Sequence, residues 1–316
     1  MLHWIVIGVG DITRKRVLPA ILAEPNSTLA GIVTRHPAKA GPYGVPGFLT
    51  LEEALSSTGA RAVYVATPVF LHAPMTIAAL RAGCHVLCEK PMALNYAEAQ
   101  TMQQAALETR RTLAIAYYRR KYPKVERARD LIAAGAIGQP VFAEATSHDW
   151  FNPLGTGREW LADPALAGGG PLRDIASHRI DLMNYFFGAP ARAGVHVSNV
   201  VHKLAVEDNA TAMIEYPSGV RAVVDVRWHS RIPRDEFRFR GTEGEMDLSP
   251  LNGSELRYPG GEENIPAPEN LHLPCIADFV SAVERGAPPA CTGEAALATE
   301  WVMSQAESLR QATSLS

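Results

Sequence analysis

The stretch CEKPM places Glu89, Lys90 and Pro91 directly after a short apolar run. An ammonium there can polarise a carbonyl or alcohol oxygen, and Glu89 can hold that ammonium or face a ribose hydroxyl. Pro91 disfavours a helical backbone at the residue before it, so Lys90 should project from an extended chain. A second set lies in GGGPLRDIASHRIDLMNYFF. If residues 174–187 form a helix, Asp174, His178 and Asp181 fall at i, i+4 and i+7 on one face, beside an apolar stripe of Ile175, Leu182 and Phe186. Histidine has the near-neutral pKa of a proton donor and acceptor, and Asp174 could orient it or accept a substrate hydroxyl. The same types also suit structural duties, Asp174 as a helix cap and His178 as a packing residue. Nothing in this set requires a metal.

A third set is built around glycine. GVGDIT puts Gly8 and Gly10 where a turn must tighten and let backbone approach a pyrophosphate, and continues through Asp11, Ile12 and Thr13. Thr13 stands where a third glycine is usual and can offer a hydroxyl instead. Further on, VTRHPAK brings Thr34 and Arg35, with Lys39 nearby, to the end of a second apolar run and has no acid there. A carboxylate at that place reads a free ribose 2'-hydroxyl and repels a 2'-phosphate. A hydroxyl beside a guanidinium does the opposite, which favours NADP(H) over NAD(H).

These residues need elements to hold them. HWIVIGVGD, LAGIVTR, ARAVYVAT, HVLCEKP and TLAIAYY read as strands, alternating with helix-like RKRVLPAILAE, PMTIAALRAG and NYAEAQTMQQAALETR. Strands this apolar, interleaved with helices, imply a parallel sheet covered on both faces, and residues 1–122 read as a Rossmann-type domain. Lys90 then leaves the carboxyl edge of a strand, where such sheets bind ligands in a crevice. Beyond 122 the pattern changes to a helix, KVERARDLIAAGAIG, the Asp174 helix and a run of alternating strands with PSG and GTEG as hairpin turns. Residues 123–316 are expected to form an α+β domain with a large, mainly antiparallel sheet, helices near 271–285 and 293–312, and a surface loop at 258–268. Such a sheet leaves a face or edge to cover, and a homodimer or homotetramer is the usual solution.

The 316 residues carry 30 basic and 33 acidic side chains, a net charge of -3, which gives no footprint for nucleic acid. The basic cluster Arg119, Arg120, Lys121 and Lys124 reads as a solvated helix face. Cysteines at 84, 88, 275 and 291 lack paired spacing for a disulfide framework or a zinc site. No apolar run approaches membrane-spanning length and the start carries no cleavable leader. A reduced, cytoplasmic protein without metal, nucleic-acid or membrane partners is the expectation.

Taken together, GVGDIT, VYVATP with LHAP, AALRAGCHVLCEKPMAL, YYRRKYP and GGGPLRDIASHRIDL resemble the glucose-fructose oxidoreductase, inositol dehydrogenase and rhizopine catabolism family. The resemblance implies a two-domain NAD(P)-dependent oxidoreductase that moves hydride to or from a sugar, polyol or related cyclic substrate. It implies Lys90, Asp174 and His178 as the residues that bind substrate hydroxyls and manage the proton. It further implies Thr67, Pro68, His72 and Glu89 beside the nicotinamide or its ribose. The Thr34–Arg35 pair is similar to that of NADP(H)-using members. An NAD-dependent inositol or sugar dehydrogenase, a dihydrodiol or imine reductase, and a nucleotide-binding sensor without turnover are the alternatives. Val69, Tyr118 and Leu161 replace polar residues common in the family, and the segment between Arg35 and TLEEAL is short.

Overall fold

The computed structural model describes residues 1–312. The chain forms two compact units, Met1–Tyr118 with Pro268–Ala296, and Arg119–Ala267 with the segment from Leu297. In the first, β1 (Leu2–Ile7), β2 (Ser27–Val33), β3 (Gly47–Phe48), β4 (Ala62–Val65), β5 (His85–Cys88) and β6 (Leu113–Ile115) form one sheet in the order β3-β2-β1-β4-β5-β6. Every pairing in it is parallel. The order reverses between β1 and β4, the topological switch at which such sheets hold ligands. Helices α1 (Leu18–Ala23), α2 (Leu51–Thr58), α3 (His72–Arg81) and α4 (Tyr96–Thr109) connect the strands. Thr50 caps α2 by accepting from Glu53 N at 3.2 Å, and Asn95 caps α4 by accepting from Glu98 N at 2.9 Å.

The helix expected right after the glycine turn is irregular. Thr13–Val17 is a wide π-helical turn, and α1 proper has six residues. Pro19 has no N–H to return to Lys15, which interrupts the i→i−4 ladder at this point. So short a helix leaves apolar surface on β1 uncovered, and the chain returns to cover it. The helix Leu273–Arg285 packs Ile276, Phe279 and Val280 into one core with Trp4, Val17 and Leu18. Trp4 and Phe279 stack obliquely, 5.2 Å between ring centroids. Burying a side chain of this size is worth about 1.5–3 kcal/mol. This helix therefore belongs to the first unit, whereas the sequence assigned all of 123–316 to the second domain.

The second unit begins with α5 (Pro123–Ala133), followed by β7 (Pro140–Trp150), α6 (Pro164–Ala167) and α7 (Ser177–Phe187). Strands β8 (Arg192–Ser198), β9 (Asn209–Glu215), β10 (Arg221–Arg227), β11 (His229–Gly241), β12 (Glu245–Asp247), β13 (Glu255–Tyr258) and β14 (Gly261–Asn264) follow. Its sheet runs β14-β13-β12-β11-β7-β10-β9-β8, antiparallel except where β10 meets β7. The PSG and GTEG turns join β9 to β10 and β11 to β12, as expected. The expected surface loop at 258–268 is corrected in part. Tyr258 pairs with Gly261 in a hairpin around Pro259–Gly260, so the glycine and proline content marked a tight turn.

On one face of this sheet Phe237 and Phe239 meet Phe186 and Phe187 of α7. The intervening residues carry a lattice of ion pairs, in which Glu144 accepts from Arg240 at 2.9 Å and Asp247 from Arg257 at 3.1 Å. The supposed solvated basic face is also corrected, since Arg119, Arg120 and Lys124 are buried. Lys124 donates to the Leu248 and Pro250 carbonyls at 2.9 and 2.8 Å. No disulfide joins the four cysteines. No described helix is long and apolar enough to cross a membrane.

Candidate active site

The glycine turn closes on the first unit itself. Gly8 has φ +96°, and a Cβ on it would stand 2.6 Å from the Ala66 carbonyl oxygen after β4. Its N–H donates to Val33 O at 2.9 Å, locking the end of β1 to β2. A Cβ on Gly10 would meet nothing within 4 Å. Glycine at 8 is thus demanded by backbone packing, while the space at 10 is open. Arg14 N donates to Gly10 O, so the helix starts here with its first N–H groups outside the ladder, where an anion is favoured.

Thr13 is fully buried and its Oγ1 has no hydrogen-bond partner among the described residues, and the same holds for Oγ1 of Thr67. Buried hydroxyls without partners are costly, and a group that supplied acceptors would relieve them. The turn's residues therefore fit a dinucleotide pyrophosphate. Asp11 points elsewhere, accepting from Lys15 at 2.6 Å and Arg14 at 3.0 Å; the Lys15 hydrogen bond is the main cause holding its carboxyl below the usual range. Ile12 is exposed beside it.

Just beyond β2, Thr34 Oγ1 accepts from His36 N at 3.3 Å, which folds the loop back on itself. Arg35 and Lys39 are exposed on that loop, and neither has an ion-pair partner among the described residues. No acid stands at 34 or 35.

At the carboxyl edge of β4 and β5 two of the expected site residues are buried. His72, expected beside the nicotinamide, is buried, with Nδ1 2.9 Å from Pro91 O and Nε2 3.0 Å from Thr67 O. Burial is the largest effect on its imidazole and pushes the pKa down against the two carbonyl contacts. Glu89, expected near the ammonium or a ribose, is also buried. Its Oε1 accepts from Tyr64 Oη at 2.7 Å and lies 3.3 Å from His272 Nε2. Its Oε2 takes the Lys90 backbone N–H at 3.3 Å. Burial opposes its charge, but the His272 imidazole and the Tyr64 hydroxyl beside it prevail and hold the carboxyl below its ordinary value. Lys90, at a bend just after β5, is half-buried. Pro68 is exposed next to Thr67.

In the second unit, GGGPL is held by Glu207. Its Oε1 accepts from Gly170 N at 2.9 Å and Leu172 N at 3.2 Å, and a Cβ on Gly170 would lie 2.1 Å from Glu207 O. A carboxylate at this helix start complements the positive end of the dipole. Leu172–Ala176 forms another wide π-helical turn before α7, so Asp174 is not in the regular helix with His178 and Asp181. Asp174 is half-buried and lies 3.4 Å from Arg158 Nη2, while His178 is buried. Asp181 is withdrawn from any such face, gripped by both Arg120 Nη2 at 2.6 Å and Nε at 2.9 Å.

Each unit thus assembles its own part. The first brings Gly8, Thr67, His72, Glu89 and the Lys90 turn together, and the second brings Asp174 to Arg158. Tyr64, His272, Arg158 and Glu207 were not foreseen, and no local pattern marks them. Arg120 had a signal in YYRRKYP, misread as solvated. The three departures from family type are all buried packing positions: Val69, Tyr118 with its ring centroid 4.5 Å from that of His272, and Leu161 against Trp228.

The family of oxidoreductases with an NAD-binding Rossmann fold matches residues 2–117, and the GFO/IDH/MocA C-terminal domain matches residues 125–247. The chain is 33% identical over 307 residues to the 1,5-anhydro-D-fructose reductase of Ensifer adhaerens, covering 93% of this chain and 92% of that protein. It is 27% identical to a D-xylose 1-dehydrogenase (NADP(+)) of Haloferax volcanii, covering 90% of each. The solved structure of an aldose-aldose oxidoreductase from Caulobacter crescentus, complexed with glycerol, superposes with a TM-score of 0.87 at 26% identity, covering 98% of both chains. With its glycine turn, its Lys90 turn and both halves matched, the chain belongs to the GFO/IDH/MocA family of oxidoreductases.

Proposed function

We propose that this protein transfers hydride between NADP(H) and a carbonyl or alcohol carbon of a sugar, polyol or related cyclic substrate. The main support is the Lys90 turn, a cation at the carboxyl edge of a parallel sheet, tied through His72 to the Thr67–Pro68 loop. The reductase and dehydrogenase names carried by its relatives supply the substrate class. Gly8, Gly10 and Thr13 would hold the pyrophosphate, Thr34, Arg35 and Lys39 a 2'-phosphate, and Thr67 and Pro68 the nicotinamide end. When bound, the nicotinamide supplies or accepts the hydride. Lys90 polarises the reacting oxygen. His178 gives or takes the proton, and Asp174, which lies beside the Arg158 guanidinium, accepts a substrate hydroxyl. The ion-paired sheet face is proposed to join copies into a homodimer or homotetramer.

Calorimetric titration with NADPH and NADH, on a sample whose mass is set by light scattering, tests this. NADPH should bind at least tenfold tighter, and Arg35→Ala should remove most of that difference, since a guanidinium–phosphate contact is charge-assisted. Equal affinities in the native protein would reject the NADP(H) preference, binding of neither nucleotide would reject the enzyme, and a monomeric mass would reject the assembly.

A further inference from the structure

We propose that a cavity at the amino edge of the first unit's sheet binds a phosphate monoester carried on a compact apolar body, with Arg110, Arg111 and His85 on the phosphate.

The cavity holds about 530 Å³, within the range of small-molecule sites. Its walls are the end of α4, the starts of β5 and β6, and the segment 286–294. That segment is fastened to β6, since Ile115 N donates to Cys291 O at 3.1 Å and Thr292 pairs with Ala114. His85 opens β5, whereas Lys90 follows its far end, so the cavity is separate from the proposed cofactor site.

The cavity's polar groups are chiefly donors that the protein leaves unused. His85 Nδ1 accepts the Thr112 backbone N–H at 3.1 Å, and an amide N–H only donates, so the ring is neutral and carries its proton on Nε2. Burial, then the charges of Arg111 and Arg61, push the imidazole's pKa down and keep it in that form. The Nε2–H has no partner among the described residues, and neither do the Arg110 and Arg111 guanidiniums. Glu294 is the only acid among the described lining residues. With Arg61, whose charge also acts on His85, three guanidiniums stand against that one carboxylate, an excess that a dianion matches. Arg110 moreover ends α4 in the left-handed region, at φ +52°, a place that glycine normally takes. A guanidinium is thus kept at the cavity against the preference of its own backbone. The rest of the wall is largely apolar, with Leu107, Leu113, Val283, Pro288 and Pro289, and suits a ring or short chain behind the phosphate.

Calorimetric titration of the full chain with phenyl phosphate at about pH 8, where the ester is a dianion, tests this, with inorganic phosphate and benzoate as comparisons. Phenyl phosphate should bind saturably and at least tenfold tighter than either, because one lacks the apolar body and the other the second charge. Arg111→Gln and Arg110→Gly should each weaken it about tenfold, the loss of one charge-assisted contact. Arg110→Gly installs the residue the backbone favours, so its melting temperature should stay at or rise about 2 °C above the native value, which separates lost affinity from lost fold. Should that variant melt below native instead, Arg111→Gln decides by itself. Native affinity in the arginine variants would put the phosphate elsewhere, for example at the glycine turn, and overturn the assignment, as would an absence of saturable binding. Equal binding of inorganic phosphate or benzoate would overturn the ligand class.

Discussion

At the scale of single residues, the site separates side chains that face a ligand from those that hold them. Lys90 and Glu89 are neighbours in the chain yet do opposite things. Glu89 is drawn into the unit by Tyr64 and His272 and also takes the Lys90 backbone N–H at 3.3 Å. If Lys90 polarises the reacting oxygen, Lys90→Ala should lower kcat by roughly 10²–10⁴, the span for removal of a positioned acid–base group, with NADPH affinity within about threefold of native. Steady-state kinetics paired with nucleotide titration checks this, and unchanged kcat would dismiss Lys90 from the chemistry. Asp181 shows the converse. Its type and spacing suggested a role beside His178, but a carboxylate held at two points by a buried guanidinium is a fastening between the Arg120 segment and α7.

At the scale of elements, the two glycines of the turn answer to different constraints. Gly8 lies in the left-handed region and against the Ala66 carbonyl, so Gly8→Ala should destabilise the protein by several kcal/mol through strain and clash together. Gly10 faces open space in the protein itself, so Gly10→Ala should leave the melting temperature within about 2 °C while weakening NADPH binding at least tenfold. Melting curves and titrations on both variants distinguish the cases, and a Gly10→Ala protein that binds normally would show that the turn does not receive a pyrophosphate. The two π-helical turns lie at the starts of the helices that bear Thr13 and Asp174, so each interrupts regular helix next to a proposed ligand-facing residue.

At the scale of the whole molecule, burial of charge decides how the fold answers to acid. Asp208 is fully buried, and desolvation opposes its ionisation, yet N–H groups of Val200, His202 and Val201 together bring its pKa down to about 2. A carboxyl depressed in the folded state contributes stability that is complete above its ordinary value of 3.8 and disappears as pH falls through about 2. That contribution is about 2 kcal/mol. The melting-temperature gap between the native protein and Asp208→Asn should therefore narrow steadily below pH 4, and a gap independent of pH would place the stabilisation elsewhere.

By itself the amino-acid sequence determined the parallel sheet, the second antiparallel sheet, the glycine turn, the acid-free end of β2 and the emergence of Lys90 after β5. These depend on hydrophobic period, turn residues and proline, which act over a few neighbours in the chain. Only the tertiary structure decided that the helix Leu273–Arg285 completes the first unit, that Arg119, Arg120 and Lys124 are interior, and that His72 and Glu89 brace the site from beneath. Arg120 meets Asp181 across 61 residues, and His272 reaches Glu89 from the far end of the chain. Whether a charge is solvated or buried depends on what distant segment arrives to satisfy it, and a local stretch of sequence carries no record of that partner.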